Sequence, residues 1–372
     1  MKIRITLAAL VVAAALMGWL VKEKPVLKDA YKNKFLIGVA LNRSQANQQN
    51  KEEIDVIKKH FNSIVPENDM KWGLIHPQKD RYEFEHADKF VAFGQENKMF
   101  VVGHALIWHS QLAPWVFKND DGSTIDRAEL EKRMEDHLTT VMTRYKGKVN
   151  GWDVVNEALA EDGTLRNSQF LQVGGETFIE KAFEFAHKAD PNVELYYNDY
   201  NLVNPAKRDG AIRIIKNLKQ KGLRIDAVGI QGHWGVTYPS LEEIETAIEM
   251  YAKEGVKVMI TELDISPLPS PFHMPNADIS TRFKNSPEMN PWADGLPDSV
   301  QTQLAQRYAD VFRIFNKHAD KISRVTLWGL HDGISWKNDF PIRGRTDYPL
   351  LFDRKLQGKK ALDAVIAVAG EK

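Results

Sequence analysis

Apolar, β-rich runs recur eight times along the chain, at 35–41, 63–68, 99–108, 149–157, 193–200, 227–234, 256–264 and 324–332. Segments with helical spacing of apolar residues fall between them, among them 52–60, 128–145, 175–189, 205–221, 241–254 and 300–318. Strands alternating with helices run parallel, because each return path is a right-handed helical crossover, and eight such units close into a (β/α)8 TIM barrel. An open, doubly wound sheet is the competing arrangement. It often carries a glycine-rich phosphate turn after its first strand, and Gly38-Val39-Ala40 is not that fingerprint. The 372 residues fit one elaborated barrel, a single catalytic domain over 25–372.

Most connections leave room only for a helix and tight turns. The exception follows the seventh run. From 266 to 297 the chain carries Pro267, Pro269, Pro271, Pro275, Pro287, Pro291 and Pro297 with little periodicity, which predicts a long ordered loop over the catalytic face.

At the other end, Lys2 and Arg4 precede an uncharged run over 5–21, and Lys22-Glu23-Lys24 returns the chain to water. Residues 1–24 therefore read as a secretory signal peptide or an uncleaved membrane anchor, a possible membrane tether. The expected location is secreted or in the cell envelope, periplasmic or membrane-anchored. The absence of cysteine excludes disulfides, thiolate metal sites and a lipid-modified cysteine at this junction.

Fifty Lys plus Arg balance fifty Asp plus Glu, so no long-range field would gather nucleic acid or an anionic membrane. A neutral substrate is the expectation. Nine tryptophans offer flat faces that suit sugar rings as well as cores.

In a barrel of this kind, side chains at the C-terminal ends of the strands line the mouth. Polar residues interrupt the apolar runs at those ends: Glu67-Asn68, His104, Trp108-His109, Asn156-Glu157, Asn198-Asp199-Tyr200, Gln231 and His233, Glu262 and Asp264, and Trp328 with His331-Asp332. Runs four and seven lie nearly opposite in an eight-strand ring, so Glu157 and Glu262 would flank a groove. Two carboxyls facing one acetal, one protonated and one ionised, are the usual equipment for cleaving a glycosidic bond. A separation of about 5–5.5 Å implies retention through a covalent intermediate, and about 6.5–9.5 Å implies inversion.

The segments Glu67-Asn68-Asp69-Met70-Lys71-Trp72, His104-Ala105-Leu106-Ile107-Trp108-His109-Ser110-Gln111, Trp152-Asp153-Val154-Val155-Asn156-Glu157, Gly229-Ile230-Gln231-Gly232-His233-Trp234 and Ile260-Thr261-Glu262-Leu263-Asp264, followed by Trp328 and Trp336, resemble the successive motifs of glycoside hydrolase family 10, the endo-β-1,4-xylanases. The match runs in order over about 35–353. It implies a barrel that cleaves β-1,4-xylan with retention, Glu157 as acid/base and Glu262 as nucleophile. It further implies that Asn156 reaches the sugar 2-hydroxyl and that His233 and Asp264 steady the nucleophile. Glu67, Asn68, Lys71, His104, Trp108, Gln111, Gln231, Trp328 and Trp336 would line the sugar subsites, with Tyr200 near the leaving-group side. Asp69 stands where family members often have Glu, and His331 occupies a variable place.

No cofactor and no metal is expected. His104 and His109 lack the spacing of a His-Glu-x-x-His helix, and Lys71 is badly placed for a Schiff base. Two alternatives stay open: a related barrel glycosidase acting on β-1,4-glucan or mixed linkages, and a carbohydrate-binding protein without catalysis. The sequence carries no signal for oligomeric state.

Overall fold

The structure is a computed structural model that describes residues 26–272 and 281–371. The leader expected over 1–24 lies outside the described residues. Among the described residues no helix is long and apolar enough to cross a membrane.

Eight parallel strands form the barrel: β1 (Leu36–Leu41), β2 (Ser63–Pro66), β3 (Phe100–Gly103), β4 (Gly151–Asn156), β5 (Glu194–Tyr200), β6 (Ala227–Gln231), β7 (Lys257–Ser266) and β8 (Ile322–Leu327). Each pairs with its neighbours in sequence, and β8 pairs with both β7 and β1, which closes the ring. The helices that follow them are α1 (Lys51–His60), α2 (Glu85–Glu96), α3 (Arg127–Arg144), α4 (Phe178–Ala189), α5 (Pro205–Gln220), α6 (Leu241–Lys253), α7 (Asp298–Lys317) and α8 (Lys360–Val368). The (β/α)8 expectation holds.

Local chemistry explains the helix starts. Asn50 and Asp126 accept hydrogen bonds from first-turn amides of α1 and α3, and Ser240 with Glu243 forms a reciprocal capping box on α6. The helix expected from 175 begins at Phe178, because a separate short helix, Gln169–Gly174, ends on Gly175 with φ 70°.

Two of the expected strands are broken. Run three leaves the sheet after Gly103 and rejoins it as Ile107–Trp108, pairing with Val155 and Asn156 of β4. Run six splits into β6 and His233–Gly235, the latter pairing with β7. Run eight stops at Leu327, which leaves Trp328 and His331 on the loop beyond the strand and Asp332 at the start of a short 3-10 helix, Asp332–Ile334. These breaks swing Trp108, His233 and Trp328 over the barrel mouth.

The interior is narrow, with Ala40, Val65, Val102, Tyr196, Ala227 and Met259 meeting across the barrel axis from six strands. Most apolar burial lies outside this layer, between sheet and helices. The described parts of the proline-rich loop are tied to the segment after β8. Pro269 O accepts from Arg345, Phe283 N donates to Pro341 O, and Trp292 O accepts from the Tyr348 hydroxyl.

Candidate active site

Every residue of β4 is buried, and its register against β5 shifts between Asp153 and Val155. Such an irregularity re-aims the strand end. Glu157, the next residue, has φ 55°, a left-handed conformation that costs a non-glycine residue about 1–2 kcal/mol. Two hydrogen bonds hold it there: Glu157 N donates to Asn198 O at 2.8 Å, and Arg166 Nε donates to Glu157 O at 3.1 Å. The carboxyl accepts from Trp108 Nε1 at 2.8 Å and from Gln231 Nε2 at 3.2 Å. Burial pushes its pKa up and the nearby charge of Glu262 adds to that, outweighing the Trp108 and Gln231 hydrogen bonds.

Glu262, on β7, is placed between two donors. Asn198 Nδ2 donates to its Oε1 at 2.9 Å, and His233 Nε2 lies 3.0 Å from its Oε2. Burial opposes its charge, yet the His233 hydrogen bond and charge, the charge of His104 and the Asn198 bond together hold its pKa below the usual glutamate range. His233 itself is pushed toward the protonated form: burial works against the cation, and Asp264 and Glu262 outweigh it. Asp264, fully buried, contacts His233 Nδ1 at 2.9 Å and accepts from Trp336 Nε1 at 2.8 Å.

Both glutamates open into one cleft of about 260 Å³, lined by Glu67, Asn68, Lys71, His104, Trp108, Gln111, Asn156, Glu157, Gln231, His233, Glu262, Trp328 and Trp336. All of these side chains are among those singled out from the sequence. Lys71 Nζ donates to Asn68 Oδ1 at 2.9 Å and sits 4.7 Å from the Trp108 ring centroid. Burial lowers the Lys71 pKa against the pull of Glu262, Glu67 and Glu157. His104 is fixed by Asp153 at 2.8 Å, and Asn156 accepts from Asn198 and Gln231. Trp336 packs beside His233, with centroids 4.7 Å apart, and stacks on Phe340. Donors, acceptors and flat apolar faces thus converge on a space fit for a polyhydroxylated ring.

Asp264 and Tyr200 are the two expected site residues that do not line the cleft. Asp264 lies behind His233. Tyr200 is 3% exposed, and its hydroxyl accepts from Arg166 at 2.6 Å. The sequence also gave no role to Asn198, which touches Glu262, or to Arg166, which holds the Glu157 backbone. Asn198 stands at a strand end among polar neighbours, a usable signal, whereas Arg166 sits in a loop with none.

A larger cavity of about 550 Å³ between α4 and α5 contains neither glutamate. Among the described residues, one group of three potential metal ligands converges, Glu245, Glu249 and His318, outside the cleft.

The family model for glycosyl hydrolase family 10 matches residues 26–368. Endo-1,4-beta-xylanase A of Xylanibacter ruminicola is 44% identical over 345 residues, covering 93% of this chain and 94% of that protein. A beta-1,4-xylanase of Dictyoglomus thermophilum is 41% identical over 92% of this chain and 91% of its own length. Among solved structures, a GH10 endoxylanase retrieved from sugarcane soil metagenome superposes with a TM-score of 0.90 at 47% identity, covering 92% of this chain and 99% of that one. A xylanase of Paenibacillus barcinonensis complexed with a conduramine derivative gives 0.84 at 35% identity, covering 92% and 98%.

Proposed function

The chain belongs to glycosyl hydrolase family 10, and from that premise we propose how its own residues carry out the reaction. It is a retaining endo-1,4-β-xylanase that hydrolyses internal xylosidic bonds by double displacement. Glu262 attacks the anomeric carbon while Glu157 delivers its proton to the departing glycosidic oxygen, forming a glycosyl ester on Glu262. With the negative charge at 262 consumed, Glu157 accepts a proton from water, water attacks the same carbon, and the ester bond breaks.

The observation that carries this division of labour is the difference in partners: Glu262 lies 3.0 Å from His233 Nε2, whereas Glu157 accepts only from the neutral donors Trp108 and Gln231, and the pKa directions of the two carboxyls, up at 157 and down at 262, agree with it. Asn156 meets the 2-hydroxyl at the reacting subsite, where a hydrogen bond strengthens as positive charge develops on the ring. Glu67, Asn68, Lys71, Gln111, Trp328 and Trp336 hold the sugars on the non-reducing side.

Proton NMR of xylo-oligosaccharide hydrolysis tests the chemistry, since the first-formed anomer must be β. Rates on xylo- and cello-oligosaccharides test the substrate. A kcat/KM on cello-oligosaccharides comparable to that on xylo-oligosaccharides would widen the substrate class to β-1,4-glucan or mixed linkages.

Residues 1–24 act as an export leader or membrane anchor ahead of the catalytic domain over 25–372. Their charged flank and uncharged core support this. N-terminal sequencing of the mature protein, with fractionation of the producing cells, distinguishes cleaved secretion from tethering.

A further inference from the structure

The left-handed backbone at Glu157 requires a clamp, and the structure supplies one from outside the cleft. Arg166, nine positions on (166 − 157), folds back so that its Nε donates to Glu157 O at 3.1 Å and its Nη2 to the Tyr200 hydroxyl at 2.6 Å. Its own N–H donates to Ala158 O at 2.8 Å. One planar guanidinium thereby ties the carbonyl of a strained residue to the end of β5. A lysine has no such fork.

The anchor at the far end is rigid. The Tyr200 ring lies over the ammonium of Lys207, 3.4 Å from Nζ to centroid, and Lys207 has no solvent exposure. Lys207 pairs with Asp199 at 2.9 Å and Glu161 at 3.2 Å. Asp199 also accepts from the Tyr197 hydroxyl at 2.6 Å and from Leu159 N at 3.3 Å. The loop that carries Glu157, Leu159 and Glu161 is thus fastened to β5 and to the first turn of α5 by a charged network in which Lys207 and Asp199 are buried and Glu161 is exposed.

We propose that Arg166 is a positioning residue for the acid/base: by fixing the carbonyl of Glu157 against Tyr200, it aims that carboxyl at the glycosidic oxygen. The inference rests on the assignment of Glu157 as proton donor. A carboxyl displaced by even a fraction of an ångström still sits in the cleft but transfers its proton poorly, so the loss falls on substrates that need one.

The experiment compares kcat/KM, which reports glycosyl-enzyme formation, on aryl β-xylobiosides of graded leaving-group pKa and on xylan. Arg166→Met is expected to lose about 10²-fold on xylan and poor leaving groups, leave dinitrophenyl xylobioside nearly untouched, and so steepen the dependence on leaving-group pKa. Arg166→Lys should recover part of the loss. Tyr200→Phe, which removes only the hydroxyl acceptor, should steepen the dependence in the same direction by a smaller amount, and it decides the matter if Arg166→Met does not fold. Equal losses across all leaving groups, or an unchanged slope in the folded variants, overturns the proposal. Glu157→Ala is the reference. If it too fails to steepen the slope, the acid/base assignment is at fault; if it steepens alone, only the role of Arg166 is lost.

Discussion

One imidazole joins Glu262 to Asp264: His233 Nε2 lies 3.0 Å from the first and Nδ1 lies 2.9 Å from the second. A neutral ring has a single N–H, so only the cation donates to both carboxylates. The burial of Glu157 and Glu262 is nearly equal, at 6% and 5% exposed, yet their pKa values move in opposite directions. Burial alone therefore does not separate acid from nucleophile. The cation at 233, itself favoured by the carboxylate at 264, does so by stabilising charge on one side of the cleft only.

Glu262→Ala is expected to abolish turnover of xylan and aryl xylosides alike. Azide, small enough to enter the vacated space, should attack from the same face and restore part of the activity. The product to look for by NMR is an α-configured glycosyl azide; a β-azide would remove Glu262 from the nucleophile's role.

Asp264→Asn should move the acid limb of the kcat/KM profile to higher pH. With Asp264 gone, burial prevails at His233 and its pKa falls, so Glu262 loses its cationic neighbour and its own pKa rises. The rate depends on an ionised nucleophile, so activity is lost earlier as pH drops. The basic limb, set by deprotonation of Glu157, should move far less. A profile whose acid limb stays in place would mean that His233 is held charged by something else.

Much of this arrangement was legible in the residues themselves. The barrel follows from eight alternating units, and the cleft from polar residues that end apolar runs. The breaks at Gly103 and after Gln231 were not legible, because an apolar run continues unchanged through a point where hydrogen-bond partners change. Gly103 shows why: the Trp152 indole occupies the place where a Cβ would stand, 2.1 Å away, a packing demand between residues 49 positions apart (152 − 103). Tyr200 was assigned to the substrate by resemblance, and its contact with Arg166 depends on a loop conformation that no periodicity encodes. Asn198 lay in plain view, but an asparagine inside a strand does not announce which carboxylate it will face.

Asn198→Ala is expected to lower kcat/KM for xylan by about 10- to 100-fold, the equivalent of about 1.5–3 kcal/mol for a hydrogen bond to a charged group. Asn198 is fully buried, donates to Glu262 at 2.9 Å and to Asn156 at 3.0 Å, and accepts from the Thr261 hydroxyl at 2.6 Å. Steady-state kinetics together with a mechanism-based label on Glu262 would check it. A variant that labels and turns over at the parent rate would show that the amide only fills space.

Gly229→Ala should reproduce much of that loss without touching the cleft. Gly229 pairs with Asn198 across β5 and β6, and a Cβ built on it would stand 2.3 Å from Asn198 Oδ1 and 2.7 Å from Thr261 Cγ2. Neither neighbour is the free end of a long side chain, so the methyl group must lift the Asn198 amide away from Glu262, at a cost in stability of about 1–3 kcal/mol for overpacking. A double-mutant cycle separates this route from general damage. If Gly229 matters because it leaves room for Asn198, then Gly229→Ala should cost less activity in the Asn198→Ala background than alone, since the shorter side chain no longer meets the methyl and only the contact with Thr261 Cγ2 at 2.7 Å remains. Full additivity of the two losses would mean instead that the methyl disturbs the barrel wall itself.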